Sequence, residues 1–379
     1  MAEADIVPAA DPRRALLAGG GSGGHVFPAL AVGDELARRG WSVLLAGSPQ
    51  GIEARLAAER GLELIALPAR PMVGRSLLQK LEALGTLLRS ALAARRIVRA
   101  ERIDLVVGTG GYASAPAVVG GRLAGRPTAI VEPNAEPGRA NLWASRFADG
   151  AAVAFASTGA RLKCRVWVTG APVRAAFFDA PAVRADGKAR LLVLGGSQGS
   201  RRINEILPAV LARLFDELPE ISVLHQCGPK HFESTVAAYA AAGLESPRLR
   251  VAPFLDNMPA AMAAVDLVVS RAGAITLAEI CAAGRPALLL PLVLAGAHQV
   301  ANAARLAEED AARLVEDHVL DADRLTAELL ELFANRPRLV SMGERARSLA
   351  RPGAAAAIAD RLEALVEERR ERGTLPVAA

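Results

Sequence analysis

Three glycine-rich turns carry residues whose spacing suits the binding of a phosphate. Each turn follows a short aliphatic run, and together they span residues 19–25 (GGGSGGH), 108–112 (GTGGY) and 195–200 (GGSQGS). Glycine lets a backbone turn at positive φ and approach a ligand closely. A helix that follows presents free N–H groups and the positive end of its dipole. We expect these turns to line a phosphate site, the alternative being tight strand-to-helix turns without a ligand.

His25 ends the first of these turns and begins a helix. The positive helix end disfavours protonation of the imidazole, and a neutral imidazole can accept a proton. The position therefore makes His25 a candidate general base. The alternative is a residue that only hydrogen-bonds the turn.

A fourth turn, residues 271–279 (RAGAITLAE), follows another aliphatic run. Gly273 and Ala274 at a helix start, with Thr276 nearby, again suit a phosphate. Glu279 lies about one and a half turns into the helix and can accept hydrogen bonds from two vicinal hydroxyls of a ribose. A solvated helix glutamate is the alternative.

Further along the chain, His298, Gln299 and Asn302 open another helix. The i, i+3 spacing of the two amides places them on one helix face. Amide groups both donate and accept, which suits sugar hydroxyls. Ordinary helix capping is the alternative.

The first turn also matches G-x-G-x-x-G through Gly19, Gly21 and Gly24. A nicotinamide-binding domain would need an acidic residue at the end of the next strand to bind the ribose. That strand runs into Ala46-Gly47-Ser48, and Glu53 comes too late. A nicotinamide oxidoreductase is therefore disfavoured.

Alternating strands and helices must position these motifs. The first half predicts strands near 15–18, 42–46, 62–66, 104–108, 128–131, 150–155 and 166–169, with helices at 26–40, 50–60, 76–100, 113–124 and 137–147. The second half predicts strands near 190–194, 221–225, 249–252, 266–270, 286–290 and 312–315. This alternation indicates βαβ units and parallel sheets. A boundary between residues 170 and 188 would give two doubly wound α/β domains with a cleft between them.

Composition narrows the class of protein further. The 379 residues suggest two domains, and 52% hydrophobic with 22% charged residues excludes a largely disordered chain. The three isolated cysteines predict neither a disulfide framework nor a cysteine zinc site. No apolar run reaches the ~18–20 residues of a membrane span. A net charge of +5 is too small to indicate nucleic acid, and residues 1–13 are expected to form a flexible tail.

Four segments together resemble the MurG family of UDP-N-acetylglucosamine transferases, which make lipid II in peptidoglycan synthesis. They are residues 20–28 (GGSGGHVFP), 110–116 (GGYASAP), 195–199 (GGSQG) and 270–279 (SRAGAITLAE). The resemblance implies an α/β GT-B fold. It implies an acceptor- and membrane-facing domain of residues 14–172 plus 352–372, and a UDP-GlcNAc-binding domain of residues 173–351.

The resemblance also implies roles for individual residues. Ser22, Gly23 and Gly24 would contact the donor, as would Arg174, and Asn134 would contact the sugar. Ser197 would face the diphosphate, and Phe254 and Leu255 would lie beside the uracil. The remaining positions would hold phosphate and ribose (Ala274, Ile275, Thr276, Leu277, Ala278 and Glu279) or the GlcNAc hydroxyls (His298 and Gln299).

Three departures from the family pattern are expected to affect rate and local loop geometry more than the reaction. The chain reads VEPN at 131–134 where the family often has HEQN, and APVR at 171–174 where it often has NPVR. It reads AGA at 295–297, where acidic residues are common.

The implied reaction is inverting transfer of GlcNAc from UDP-GlcNAc to the MurNAc 4-hydroxyl of lipid I. Backbone N–H groups of the turns would stabilise the leaving diphosphate. Neither metal nor cofactor is expected. His25 is the first candidate base and Glu132 the second. A UDP-GlcNAc 2-epimerase-like isomerase is the alternative function.

Residues 70–102 predict contact with an anionic membrane at its cytoplasmic face. This stretch is rich in leucine and holds eight basic residues against two acidic ones. Each Lys or Arg near such a surface contributes about 1 kcal/mol. A solvated face of an ordinary amphipathic helix is the alternative.

Overall fold

A computed structural model describes residues 12–67, 77–183, 188–293 and 298–373, the side chains of 77–84 excepted. A seven-stranded parallel sheet has the order β3-β2-β1-β4-β5-β6-β7, and a six-stranded one has the order β10-β9-β8-β11-β12-β13. The first sheet comprises β1 (Arg14–Gly19), β2 (Ser42–Gly47), β3 (Glu63–Ala66), β4 (Leu105–Gly110), β5 (Thr128–Glu132), β6 (Gly150–Val153) and β7 (Arg165–Val168). The second comprises β8 (Arg190–Leu194), β9 (Ser222–Gln226), β10 (Leu249–Ala252), β11 (Leu267–Ser270), β12 (Ala287–Leu289) and β13 (Ala312–Leu314).

Helices cover both faces of each sheet, and most follow a strand directly. Those of the first half are α1 (Gly23–Arg38), α2 (Ile52–Glu59), α3 (Leu77–Ala100), α4 (Ser114–Leu123), α5 (Arg139–Ala144) and α6 (Ala156–Gly159). Those of the second half are α7 (Arg201–Glu217), α8 (Phe232–Ala241), α9 (Met258–Ala263), α10 (Ala274–Ala283), α11 (His298–Glu308), α12 (Ala322–Ala334) and α13 (Arg336–Leu349), and α14 (Ala354–Glu371) ends the chain's described part.

All thirteen predicted strands are present, because the central ones are aliphatic runs buried on both faces, as parallel sheets require. The helix expected over 137–147 is shorter and begins at Arg139, since Gly138 before it is extended. Helix α6 was not predicted. The expected tail falls largely on residues 1–11, which lie outside the described residues, as does the stretch 70–76 of the predicted membrane segment.

The strand order places the four motifs at two corresponding points. In the first sheet β1 lies between β2 and β4, and in the second β8 lies between β9 and β11. In the first sheet the chain passes from β1 to β2 on one side and from β4 to β5 on the other, and in the second it passes likewise from β8 to β9 and from β11 to β12. This divergence opens a crevice at the carboxyl ends of β1 and β4 and of β8 and β11. The glycine turns follow β1, β4 and β8, and the turn at Arg271 follows β11.

Helix α14 returns from the second half to pack on the first. Ile358, Leu362 and Val366 are fully or almost fully buried in one cluster with residues of β1, β2 and α1. At the edge of this contact, the Trp41 indole N–H donates to the Glu363 carboxylate at 3.0 Å. Arg39 forms an ion pair with the same carboxylate at 2.7 Å. The first core therefore includes a segment from the far end of the chain. Within the described residues, no helix is both long and apolar enough to cross a membrane.

Leu362→Ala should reduce the free energy of unfolding by about 2–5 kcal/mol, because truncation of a buried leucine leaves a cavity. Denaturant unfolding followed by circular dichroism measures the loss. Arg361→Ala is the matched control, since Arg361 is exposed on the same helix. Equal stability of the two variants would contradict the packing of α14 on the first core.

Candidate active site

His25 lies in the first turn of α1, where two neighbours fix its ring. Its Nδ1 lies 3.1 Å from the carbonyl oxygen of Gly20 and 3.2 Å from the Ser22 hydroxyl. Because a carbonyl oxygen only accepts, Nδ1 donates the proton and the lone pair of the neutral ring is on Nε2. Burial lowers the pKa of His25, against the opposing effects of the Gly20 hydrogen bond and the charges of Glu132 and Glu53. A neutral imidazole with a lone pair on Nε2 is suited to accept a proton.

The second glycine turn covers this ring. Gly110 and Gly111 have φ of +103° and +78°. A Cβ at Gly110 would lie 2.6 Å from His25 Cδ2, and one at Gly111 would lie 2.1 Å from the carbonyl oxygen of Gly20. Any other residue would therefore collide with the imidazole or with the first turn.

Glu53, set aside in the sequence because it comes too late to bind a ribose, joins the two turns instead. Its fully buried carboxylate accepts hydrogen bonds from the Ser48 N–H at 2.9 Å and the Gly21 N–H at 3.4 Å. It also accepts from the Tyr112 hydroxyl at 2.6 Å. Its position in the first turn of α2 also favours a negative charge.

Glu132, the second candidate base, is engaged by four donors. Oε1 accepts from the backbone and side-chain N–H groups of Asn134 at 3.0 and 2.7 Å. Oε2 accepts from Gly138 N–H at 2.7 Å and from the Asn141 amide at 3.1 Å. Glu132 therefore holds the segment after β5 in place, and its oxygens are occupied by the protein itself.

The two halves touch across the crevice at predicted site residues. The Gly23 N–H donates to the Ser197 hydroxyl at 3.3 Å, which joins the first and third glycine turns. The Asn302 amide donates to the Asn134 side chain at 3.2 Å and accepts from the Ala135 N–H at 2.9 Å. These contacts bring together residues that are about 170 positions apart.

Helix α10 directs its N-terminus toward the same crevice. The first intrahelical bond runs from the Leu277 N–H to the Gly273 carbonyl at 3.0 Å, so the N–H groups of the three preceding residues have no intrahelical partner. Thr276 and Ala278 are half-buried, whereas Ile275 and Leu277 are buried. The backbone N–H of Ile275 has no partner within the helix and can bind a ligand. Leu277, by contrast, packs in the core and its N–H is already bonded to Gly273.

Glu279 and Arg174 form a pair beside α10. The Arg174 guanidinium lies 3.8 Å from the Glu279 carboxylate, whose side chain is 11% exposed. Burial raises the pKa of Glu279 to about 7, and Arg174 opposes part of that rise. The guanidinium also lies over the rings of Phe27 and Phe177, at 5.9 and 5.1 Å from their centroids. Arg174 therefore connects α1 of the first half with the carboxylate of the second.

Two more predicted residues form hydrogen bonds between a side chain and the backbone, and a third, His298, forms none at its Nδ1 within the described residues. The Leu255 N–H donates to the Gln226 side chain at 2.8 Å, and the same amide donates to the Gly196 carbonyl at 3.1 Å. Gln299 accepts from the Leu292 N–H at 3.0 Å. The Nδ1 atom of His298 is buried without a hydrogen-bond partner among the described residues.

Comparison with known proteins places this arrangement in a family. The glycosyltransferase family 28 N-terminal domain matches residues 15–153, and the family 28 C-terminal domain matches residues 190–359. The chain is similar to the UDP-N-acetylglucosamine--N-acetylmuramyl-(pentapeptide) pyrophosphoryl-undecaprenol N-acetylglucosamine transferase of Ectopseudomonas mendocina, at 44% identity over 91% of this chain and 96% of the relative. The transferase of the same name from Shewanella denitrificans is 40% identical over 89% of this chain and 93% of the relative.

A solved structure agrees with these relatives. The crystal structure of Acinetobacter baumannii MurG superposes with a TM-score of 0.73 and 31% identity, covering 93% of this chain and all of that one. The chain belongs to the MurG family. The expected GT-B fold is thereby confirmed. A UDP-N-acetylglucosamine 2-epimerase from Listeria monocytogenes also superposes, with a TM-score of 0.67 at 15% identity, which shows a shared fold alone.

Two buried polar residues support the MurG-like site without having been assigned a role in the sequence. One is Gln226, which ties the third glycine turn to Leu255. The other is Arg271, which donates to the Ser200 hydroxyl at 3.1 Å, the Leu290 carbonyl at 2.8 Å and the Asp317 carboxylate at 2.7 Å. Both stand at or just after the end of a strand, and a polar residue there is the signal that could have identified them.

Two departures from the MurG pattern lie in the wall of a cavity between the halves. The cavity measures about 200 Å³, and Pro133 and Ala171 line it together with Phe155 and Cys281. These substitutions therefore lie in the wall of this cavity and leave the four motifs unaltered. The third departure, at 295–297, lies outside the described residues.

Glu279→Gln should stabilise the protein at alkaline pH and leave its stability unchanged near pH 4.5. The folded state binds the Glu279 proton more tightly than the unfolded chain, because burial raises the pKa from 4.5 to about 7. Between these values the free energy of unfolding of the parent falls as pH rises, by roughly 3 kcal/mol in total. Unfolding curves of both proteins from pH 4.5 to 8 measure the difference, and a constant difference would contradict a buried, weakly satisfied carboxylate.

Proposed function

We propose that this chain transfers GlcNAc from UDP-GlcNAc to the 4-hydroxyl of MurNAc in undecaprenyl-pyrophosphoryl-MurNAc-pentapeptide, with inversion, and so makes lipid II. The observation that carries this proposal is the convergence of four motifs on one crevice in a chain of the MurG family. Curated members of that family are named for this transfer. We assign the acceptor to residues 14–172 plus 352–372, and the donor to residues 173–351.

The donor assignment rests first on the N-terminus of α10. The N–H groups of Ala274, Ile275 and Thr276 have no partner within the helix and suit the diphosphate, and Ser197 lies beside the N-terminus of α1. Glu279 would accept from the ribose hydroxyls and Leu255 would lie against the uracil. His298 and Gln299 would bind the GlcNAc hydroxyls, with Arg174 and Asn134 at the junction of the halves.

In the reaction, the acceptor hydroxyl attacks the anomeric carbon of GlcNAc in line, and UDP leaves from the opposite face. His25 Nε2 would accept the hydroxyl proton, since Nδ1 is bonded to Gly20. Ser22, Gly23 and Gly24 would approach the donor from the first half. Fixed N–H groups stabilise the charge that develops on the diphosphate without reorganising.

One assay separates this function from its alternative. The full chain is incubated with UDP-GlcNAc, with and without a lipid I analogue, and products are resolved by chromatography. A transferase releases UDP only when acceptor is present. Formation of UDP-ManNAc without acceptor would instead identify a 2-epimerase.

His25→Ala should lower kcat by about 100-fold or more, because loss of a general base removes ~10²–10⁴-fold of rate. UDP-GlcNAc affinity should fall much less than kcat, because the ring itself is not assigned to the donor and reaches it only through its contact with the Ser22 hydroxyl. The kcat of the wild-type enzyme should begin to decrease only at a pH below 6.5, where His25 becomes protonated, because burial lowers the pKa of His25 from that value.

The control is His318→Ala, which removes a histidine whose side chain is 70% exposed. If the His25→Ala enzyme retains most of its kcat, a residue other than His25 is the general base.

We further propose that the first half attaches to anionic lipid at the cytoplasmic face of the membrane through α3. Ala94 and Val98 bury one side of this helix, whereas Leu88 and Leu92 are 58% and 48% exposed on another. Arg96, four residues after Leu92, is exposed on the same side of the helix. Exposed leucines beside arginines suit insertion at a lipid headgroup region with electrostatic support.

Replacement of Leu88 and Leu92 by Gln should reduce co-sedimentation with liposomes that contain phosphatidylglycerol. Wild-type binding should fall at high salt and on neutral liposomes, because screening weakens exposed charge interactions. Val236→Gln is the control, since Val236 is 40% exposed on α8 of the other half. Equal binding to neutral and anionic liposomes, at low and at high salt, would contradict an electrostatic contribution.

A further inference from the structure

Helix α2 of the first half reaches across the crevice through Arg55. The Cζ atom of its guanidinium lies 4.3 Å from the centroid of the Phe254 ring. The same group lies 4.0 Å from the Asp256 carboxylate and 3.7 Å from Glu59 on its own helix. A cation over a ring face at this distance is attracted by the π electrons. Arg55 thus contacts residues on both sides of Leu255.

The partner segment is one that the donor assignment depends on. Leu255, between Phe254 and Asp256, has its N–H bonded to Gln226, which also contacts the third glycine turn. That network fixes the backbone of the segment from within the second half. The Phe254 ring is only half-buried, and a side chain from the opposite half lies against its face.

The other end of this connection is equally well fixed. Glu53 precedes Arg55 by two residues on α2, and its carboxylate holds both Gly21 and Tyr112. One helix of eight residues therefore bears a group that orders the first glycine turn and a group that contacts the proposed nucleobase segment. A shift of α2 would disturb both.

We infer that Arg55 is a positioning residue that holds Phe254 and Leu255 in place for a uridine nucleotide and thereby couples nucleotide retention to closure of the two halves. This inference rests on the proposed donor site. Arg55 would act through the Phe254 ring, and it takes no part in the chemical step. Its side chain is 45% exposed, so its removal should leave the core of the first half intact.

The test compares the parent with Arg55→Ala and Arg55→Lys. UDP affinity is measured by calorimetry, UDP dissociation by stopped flow, and kcat with donor and acceptor KM by steady-state assay. Arg55→Ala should weaken UDP binding and raise donor KM by about 3- to 30-fold, the range of a cation–π contact. The KM for the lipid I analogue should stay within twofold, and kcat at saturating donor should not fall. Lys should restore part of the loss, since it keeps the charge but not the planar stacking.

Arg60→Ala is the matched control, because Arg60 lies just beyond the end of α2 and forms an ion pair with Asp34 at 2.7 Å. It should retain the parent values. A double-mutant cycle with Phe254→Leu tests the route of the effect. Arg55→Ala should add little loss in that background, because the ring through which it acts is already absent.

Two results would overturn the inference alone: unchanged UDP affinity in Arg55→Ala while the parent binds UDP and transfers GlcNAc, or fully additive losses in the cycle. A parent chain that neither binds UDP nor transfers GlcNAc would overturn the proposed function together with this inference. Calorimetry on the parent distinguishes the two cases.

Discussion

The structure depends on the point in each parallel sheet where successive connections leave in opposite directions. At that point two strand ends diverge, and the following helices present N–H groups that no carbonyl of the same helix can reach. Both halves have such a point, flanked by β1 and β4 in one and by β8 and β11 in the other. A ligand with several negative oxygens can accept hydrogen bonds from these N–H groups. The glycines at the turns let the backbone come close to such a ligand.

Three buried carboxylates illustrate how the surroundings decide the role of a residue. Glu53 and Glu132 accept three and four hydrogen bonds from groups of the first half, and both serve to fix backbone. Within the described residues, Glu279 has no hydrogen bond, only Arg174 at 3.8 Å, and burial raises its pKa. A buried carboxylate without donors is stabilised by any ligand that brings hydroxyl groups, whereas the other two have no such need.

The described residues of the two halves make several polar contacts across the crevice. Hydrogen bonds join Gly23 to Ser197 and Asn134 to Asn302, and a cation–π contact joins Arg55 to Phe254. By contrast, α14 attaches to the first half through a continuous apolar cluster. Helix α14, by which the chain returns to the first half, is therefore firmly anchored. The polar contacts across the crevice each contribute little.

The strands and the positions of the motifs follow from the sequence by itself. Strands such as β8 and turns such as 195–200 follow from local properties, namely aliphatic runs and the backbone freedom of glycine. The position of His25 at a helix start follows in the same way, and the four motif segments were sufficient to indicate the family.

The partners that these residues meet depend on the tertiary fold. Glu53 was set aside because its distance along the sequence excluded one role, yet the fold brings it to Gly21 and Tyr112. The contacts of Asn134 with Asn302, and of Arg55 with Phe254, join residues that are 168 and 199 positions apart. Local periodicity holds no information on such pairs, because they depend on the path of the whole chain and on how the two sheets face each other.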